Sequence, residues 1–305
     1  MFGPDDGLFE GFGERRIATT DAEISLVTGG SGPPLLLLHG FPQTHAMWHR
    51  MAPRLAERFT VVAPDLRGYG DSERVASLPD HASYSKRAMA RDQVELMRIL
   101  GFERFAVVGH DRGGRVGHRM ALDHPGRVER LAVLDIVPTL EVFETADQRL
   151  ATAYYHWFFL IQPAPLPEHM IGLDPGFYLR RTIAAWSGGG EPKASPEAMA
   201  EYLRAMRDPA CVHAMCEDYR AAASIDLAHD RASREAGERI RCPLLVLWGA
   251  RGAMERLYDV PETWRRFADD VAAQPIDCGH FLPEEAPEET LAALMGFLEP
   301  SRSKA

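Results

Sequence analysis

The chain has 305 residues, with 34 Lys and Arg against 44 Asp and Glu, giving a formal charge of −10 at pH 7; hydrophobic residues make up 46%. This is ordinary globular composition, long enough for one large domain or two modest ones, and its acidity excludes the basic footprint on which nucleic-acid binding usually rests. The same acidity is an obstacle to an anionic small-molecule substrate. Met1 to Asp6 show neither the basic nor the apolar region of a secretory signal. Apolar runs such as Leu35–Leu38 fall far short of the ~20 residues a membrane-spanning helix needs. A cytoplasmic protein without membrane contact is expected.

In chain order, Ile24–Val27 and the wholly apolar Leu35–Leu38 predict strands, the second buried as in a parallel sheet. Phe59–Ala63 predicts a third, followed by the turn-rich Asp65–Ser72. Ser85–Leu100 has helical periodicity and closes at Gly101. Phe105–Val108 predicts a strand, Val116–Leu122 a helix and Leu131–Leu134 a strand. This βαβ rhythm implies an α/β fold, a mostly parallel sheet with helices on both faces.

The rhythm stops near residue 139. From there to about 225 the chain is helical and aromatic-rich, with Gly188-Gly189-Gly190 expected as an exposed loop. Pro243–Trp248 and Val271–Ile276 then return as strands before a helix at Glu288–Leu298. A core of residues 1–138 plus 226–305 with an inserted helical cap of 139–225 follows. A cap so placed lies over the carboxyl edge of the sheet, where open α/β sheets bind ligands.

Gly109-His110-Asp111-Arg112-Gly113 stands between a strand and a helix. Its glycines allow the tight strand-to-helix turn that presents the central side chain. A carboxylate at that point can displace a leaving group from an sp³ carbon and form an ester. Hydrolysis of the ester then needs a base, and His280, after the last strand, supplies an imidazole. Asp135, at the end of Leu131–Leu134, is the candidate to orient it, with Glu255 and Asp259 as alternatives. Phe41, after Leu35–Leu38, and Arg112 are placed to offer backbone N–H groups to an oxyanion. Cys211, Cys216, Cys242 and Cys278 fit neither a disulfide scaffold nor a zinc pattern, Cys211-Val-His213-Ala-Met-Cys216 included, and are expected as free thiols.

With these residues the chain resembles the α/β-hydrolase superfamily, and within it the aspartate-nucleophile dehalogenases and epoxide hydrolases. It is most similar to fluoroacetate dehalogenases over residues 10 to 300. The similarity is carried by Leu36–Thr44, Gly109–Gly113, Gly279–Glu285 and the cap segment Tyr155-His156-Trp157-Phe158-Phe159. It implies Asp111, His280 and Asp135 as nucleophile, base and acid; Arg112 and Arg115 on the substrate carboxylate; and His156, Trp157 and Tyr219 on the leaving halide. It further implies Trp186 in the pocket, no metal or organic cofactor, a haloacid substrate and a homodimer. Arg112 and Arg115 fall on one helix face, where guanidinium forks suit a carboxylate. Fluoride, small and strongly hydrated, needs several converging donors to leave. Tyr154 and Tyr155 are expected to pack. The glycine-rich stretch Ser187–Ser195 departs from the resemblance.

An epoxide hydrolase on the same scaffold is the alternative, with Tyr219 and Tyr154 or Tyr155 protonating the epoxide oxygen. Its neutral substrates would leave Arg112 and Arg115 buried without a carboxylate partner, at a cost. A ligand-binding receptor built on an inactive hydrolase is disfavoured because all three triad positions are occupied.

Overall fold

The computed structural model describes residues 7–299, so the segment Met1–Asp6 read above lies outside the described residues. The core is an eight-stranded sheet of order β1-β2-β4-β3-β5-β6-β7-β8. Its strands are β1 Gly13–Ala18, β2 Glu23–Gly29, β3 Pro34–Leu38, β4 Thr60–Pro64, β5 Phe105–His110, β6 Val128–Leu134, β7 Leu244–Gly249 and β8 Val271–Ile276. β1 and β2 pair antiparallel and β2 meets β4 antiparallel; every later pairing is parallel. β5 and β7 are buried along their whole length, as strands covered by helices on both faces must be.

Two differences from the expected elements have plain causes. β1 buries only Ile17, so this polar edge strand carries none of the alternation by which a strand is read. The helix predicted from Val116 begins at Arg112 and runs to Asp123. Gly113 and Gly114 in its first turn lower local propensity, and packing against the sheet overrides it. The helix Lys86–Ile99 matches its expectation: the Ser85 side chain accepts the Ala88 N–H and Gly101 follows with φ 91°.

Between β6 and β7 the chain runs through helices from Thr139–Glu144 to Ile225–Glu235. Because β3, β5, β6, β7 and β8 are parallel, their carboxyl ends deliver Phe41, Asp111, Asp135, Gly249 and His280 to one edge, beneath these helices. Among the described residues no helix is long and apolar enough to cross a membrane.

One seam between the inserted helices and the core is a buried polar cluster. Gln43 Nε2 donates to Glu284 Oε2 at 2.6 Å, and Tyr202 Oη, from the helix Pro196–Met206, donates to Oε1 at 2.8 Å. Burial pushes the Glu284 carboxyl up to about 7, against the hydrogen bonds from Tyr202 and Gln43 and the nearby Arg50. The folded state thus holds this proton to a higher pH than the unfolded chain. The stabilisation is complete below the ordinary carboxylate range and is lost as pH rises through about 7. Glu284→Gln, which mimics the neutral acid, should melt with the wild type at pH 5 and above it at pH 8. Parallel pH dependence of the two melting temperatures would contradict this.

Candidate active site

Asp111 sits at the strand-to-helix turn with φ 45° and ψ −111°, a conformation that strains a non-glycine residue. The turn is held from three sides. The Asp111 N–H donates to Leu134 O at 3.2 Å, its carbonyl accepts from Arg115 N at 3.2 Å, and its Oδ1 accepts from Phe41 N at 3.0 Å. Gly113 is needed because a Cβ there would lie 2.4 Å from Leu38 O and 2.5 Å from His39 O. Of the two N–H groups expected to form an oxyanion hole, that of Phe41 already engages the carboxylate; that of Arg112 makes no bond to it.

His280 Nδ1 donates to Asp135 Oδ2 at 2.6 Å, while Asp135 Oδ1 accepts from Gly249 N at 2.9 Å. Asp135 also has a positive φ, 54°. The two alternatives lie elsewhere: Glu255 accepts the Trp248 indole N–H, and Asp259 caps the helix Val260–Arg265. With Nδ1 committed, the buried Nε2 of His280 has no partner. Burial works against a charge on His280, but the hydrogen bond and charge of Asp135, with Asp111 adding to them, raise its pKa above the usual imidazole value. Burial would raise the Asp111 pKa, yet His280, Arg112, Arg115 and His110 together hold it down at about 2. Asp111 is therefore ionised across the physiological range.

The arginines divide their work in a way the sequence did not show. Arg112, with no exposed surface, places Nε 3.0 Å and Nη2 2.8 Å from the two carboxylate oxygens of Asp218, and Nη2 also donates to Asp218 O at 3.0 Å. The fork expected on a substrate carboxylate is thus occupied from within, and only Nη1 is left without a partner. Arg112 therefore has a carboxylate of its own, and the cost of burying unpaired arginines falls on Arg115 alone. Arg115 Nη1 donates to Val137 O at 2.8 Å and Thr139 Oγ1 at 3.2 Å, its Nε is unpartnered, and no carboxylate among the described residues forms an ion pair with it. Burial lowers its pKa, with Asp111 opposing that shift. The two guanidiniums lie over aromatic faces, Arg112 4.1 Å from the Tyr219 centroid and Arg115 4.5 Å from that of Trp157.

The predicted cap residues close over this group. A break at Tyr154 (φ −113°, ψ 39°) separates the helix Gln148–Ala153 from Tyr155–Leu160, so that His156 and Trp157 lie in a first turn. Their rings stand 5.7 and 5.9 Å from that of Tyr219, on the helix Pro209–Ala222. Tyr219 Oη and His156 Nδ1 are buried without partners. Burial keeps His156 neutral, pulling its pKa far down, although the nearby Asp111 opposes this. Trp186 packs 4.3 Å from His156 and 5.5 Å from His280. Tyr154 packs as expected, buried 5.4 Å from His156 and 6.3 Å from Trp157, and with the half-exposed Tyr155 it also lines a cleft.

Gly188 is not part of an exposed loop. Its N–H donates to Glu285 Oε2 at 2.7 Å, and a Cβ there would lie 2.6 Å from Gly279 N, so the cap backbone rests directly on the His280 loop. Gly189 and Gly190 are exposed as expected. All four cysteines are free thiols, three of them buried.

A family model for the alpha/beta hydrolase fold matches residues 33–287. A fluoroacetate dehalogenase from Burkholderia sp is 49% identical over 97% of both chains. A soluble epoxide hydrolase from Corynebacterium sp. (strain C12) is 35% identical over 90% of this chain and 93% of its own. The structure of a protein from Nostoc sp PCC 7120 assigned as an alpha/beta hydrolase superposes with a TM-score of 0.91 at 59% identity, covering 94% of this chain and 98% of that one.

The His280–Asp135 pair is testable without any substrate. Titration of His280 followed by NMR should give a pKa above the usual imidazole value. Asp135→Asn should bring it below that value, because burial persists while the opposing carboxylate is gone. An unchanged titration in the variant would show that Asp135 does not govern His280.

Proposed function

Because the chain belongs to the α/β-hydrolase family, we propose that it is a hydrolytic dehalogenase converting haloacetate, fluoroacetate above all, to glycolate and halide through an ester on Asp111. The observation that carries this reading is Arg115: a buried guanidinium beside an ionised nucleophile, with an unpartnered Nε and no carboxylate of its own. Such a cation is costly unless an anionic ligand completes it.

In this reading Arg115 Nε and Arg112 Nη1 hold the substrate carboxylate and so fix the adjacent α-carbon. Phe41 N–H restrains Asp111 Oδ1, leaving Oδ2 to attack that carbon in line, with inversion. The carbon–halogen bond breaks with its electron pair, and the halide leaves toward Tyr219 Oη–H, the Trp157 indole N–H and the neutral His156. These donors are already oriented and cost little reorganisation. His280 Nε2 then takes a proton from water, whose oxygen attacks Cγ of Asp111. The negative charge that develops on Oδ1 is met by Phe41 N–H. Asp135 steadies the imidazolium, which gives its proton to the leaving alkoxide as the acyl C–O bond breaks, so glycolate departs and Asp111 is left as a carboxyl group that ionises by losing the water's second proton. The chain would act without metal or organic cofactor, as a cytoplasmic homodimer.

The epoxide reading would keep Asp111, His280 and Asp135 and use Tyr219 with Tyr154. A relative bears that activity in its name, but a neutral epoxide leaves Arg115 uncompensated.

A single turnover on fluoroacetate in ¹⁸O-water should place the label in Asp111 before it reaches glycolate. Label in glycolate alone, or full turnover by Asp111→Asn, would defeat the ester route. Arg115→Gln should lower kcat/KM for haloacetate by about ten- to a hundredfold, the loss of one or two charge-assisted hydrogen bonds. Diol formation from styrene oxide without fluoride release from fluoroacetate would favour the alternative.

A further inference from the structure

We propose, on the strength of the haloacid reading, that a cleft beside the active site is an anion-selective entrance whose arginines capture the substrate from solution. The cleft has a volume of about 340 Å³, and its inner wall includes His280, Asp135, Trp186 and Tyr154. Trp186 and Tyr154 also pack against His156, so the cleft ends at side chains that surround Asp111. Its outer wall carries Arg181, from the helix Pro175–Trp186, together with Arg251 and Arg256, which follow β7. An adjoining hollow shares Thr152, Ala153 and Arg256 with the cleft and adds Arg149.

The charge balance there is opposite to that of the chain as a whole. Asp135 is the one carboxylate on the cleft wall, and it is committed to His280 and Gly249 N–H. Arg251 is neutralised by Asp277, 2.8 Å from its Nε. Arg181 and Arg256 have no ion-pair partner among the described residues; Arg256 Nη1 donates only to the Arg251 carbonyl at 2.9 Å. Most other arginines in this acidic chain are paired, as in Arg234–Glu144 and Arg266–Glu141. A concave mouth with uncompensated cations and low-dielectric walls concentrates field lines and raises the local concentration of a small anion. The effect reaches over a Debye length of ~8 Å at physiological salt. Inside, the next unsatisfied cation is Arg115. The cleft would thus pass a haloacetate from one positive site to another, in a molecule whose net charge repels it.

Two measurements test this, one of them without catalysis. Trp186 is the half-buried tryptophan of the cleft, whereas Trp48, Trp157 and Trp264 are at most 1% exposed and Trp248 6%. Iodide should therefore quench an emission that Trp186→Phe removes. In the double variant Arg181→Gln, Arg256→Gln the iodide quenching constant should fall at least about twofold while neutral acrylamide quenches as before. In steady-state assays at low ionic strength the same variant should raise KM for haloacetate about tenfold. That rise should disappear near ~0.5 M salt, where screening is strong, and Arg181→Glu, Arg256→Glu should exaggerate it. Unchanged iodide quenching, or an effect on KM that salt does not alter, would overturn the proposal. If the wild type released no halide from any haloacetate, the function proposed above would fall, yet iodide quenching would still decide whether the cleft selects anions.

Discussion

The ion pair between Arg112 and Asp218 ties together the turn at Asp111, the inserted helices and the charge of the site. Both partners are fully buried, and the pair belongs to a larger network in which Tyr69 Oη and the Lys86 ammonium also donate to Asp218, while Lys86 N–H donates to Asp226. Tyr69, Lys86 and Arg112 precede β6; Asp218 and Asp226 come from the helices between β6 and β7. Two cations thus meet two carboxylates, with most of the polar atoms bonded, which is the condition under which buried charge is tolerated. Loss of one member would leave its partners charged and dry, at a cost of about 3–5 kcal/mol. The helices are therefore held above Asp111 by charge as well as by apolar contact, and Tyr219, next to Asp218 in sequence, is positioned as a consequence.

Against that satisfied network, several buried polar groups near Asp111 are left without partners, although others lie elsewhere in the molecule, as at Gln93, His118 and Thr182. Arg112 Nη1, Arg115 Nε, Tyr219 Oη, His156 Nδ1 and His280 Nε2 are buried without partners, and the electrostatic neighbours of His156 include Asp111, His280 and both arginines. Buried polar atoms are normally bonded; the unpartnered ones beside Asp111 differ from those elsewhere in standing next to an ionised carboxylate and two buried guanidiniums. Backbone strain is concentrated there too. Asp111 and Asp135 both have positive φ at the ends of β5 and β6. Each still donates its N–H to the neighbouring strand, to Leu134 O and Leu247 O. The sheet ladder extends one residue past the strand and holds a conformation that costs of order 1–3 kcal/mol on its own.

Legibility in the sequence followed the range of the interaction involved. The buried strands were readable because burial on both faces leaves an unbroken apolar run, as in Leu35–Leu38; β1, polar on an edge, left no such trace. The turn at Asp111 was readable because its geometry requires small residues at fixed offsets within five positions. Asp135 was reached through its place at a strand end, a rule of topology rather than of local pattern. Asp218 was not reachable, since nothing within its helix distinguishes a carboxylate aimed at Arg112, 106 residues away, from one aimed at solvent. Gly188 was misread for the same reason: composition suggested a free loop, whereas its partner is Gly279. The break at Tyr154, which lets His156 and Trp157 share a site, also depends on packing and not on propensity.

Charge shows the same separation of scales. A net −10 describes the average of a surface screened within ~8 Å, and an average is silent on how pairs are distributed. On the exterior many carboxylates pair with arginines, as at Arg87–Asp123 and Arg239–Asp269. Where the site needs positive charge, the arrangement is reversed. Arg112 is neutralised by an internal carboxylate that orients it, and Arg115 is left to neutral oxygens that position it without cancelling its charge. A carbonyl and a hydroxyl orient a guanidinium less strongly than a carboxylate does, but they leave its charge uncancelled. Val137 O and Thr139 Oγ1 thus position Arg115 and leave its charge uncancelled, whereas Asp218 both positions and neutralises Arg112.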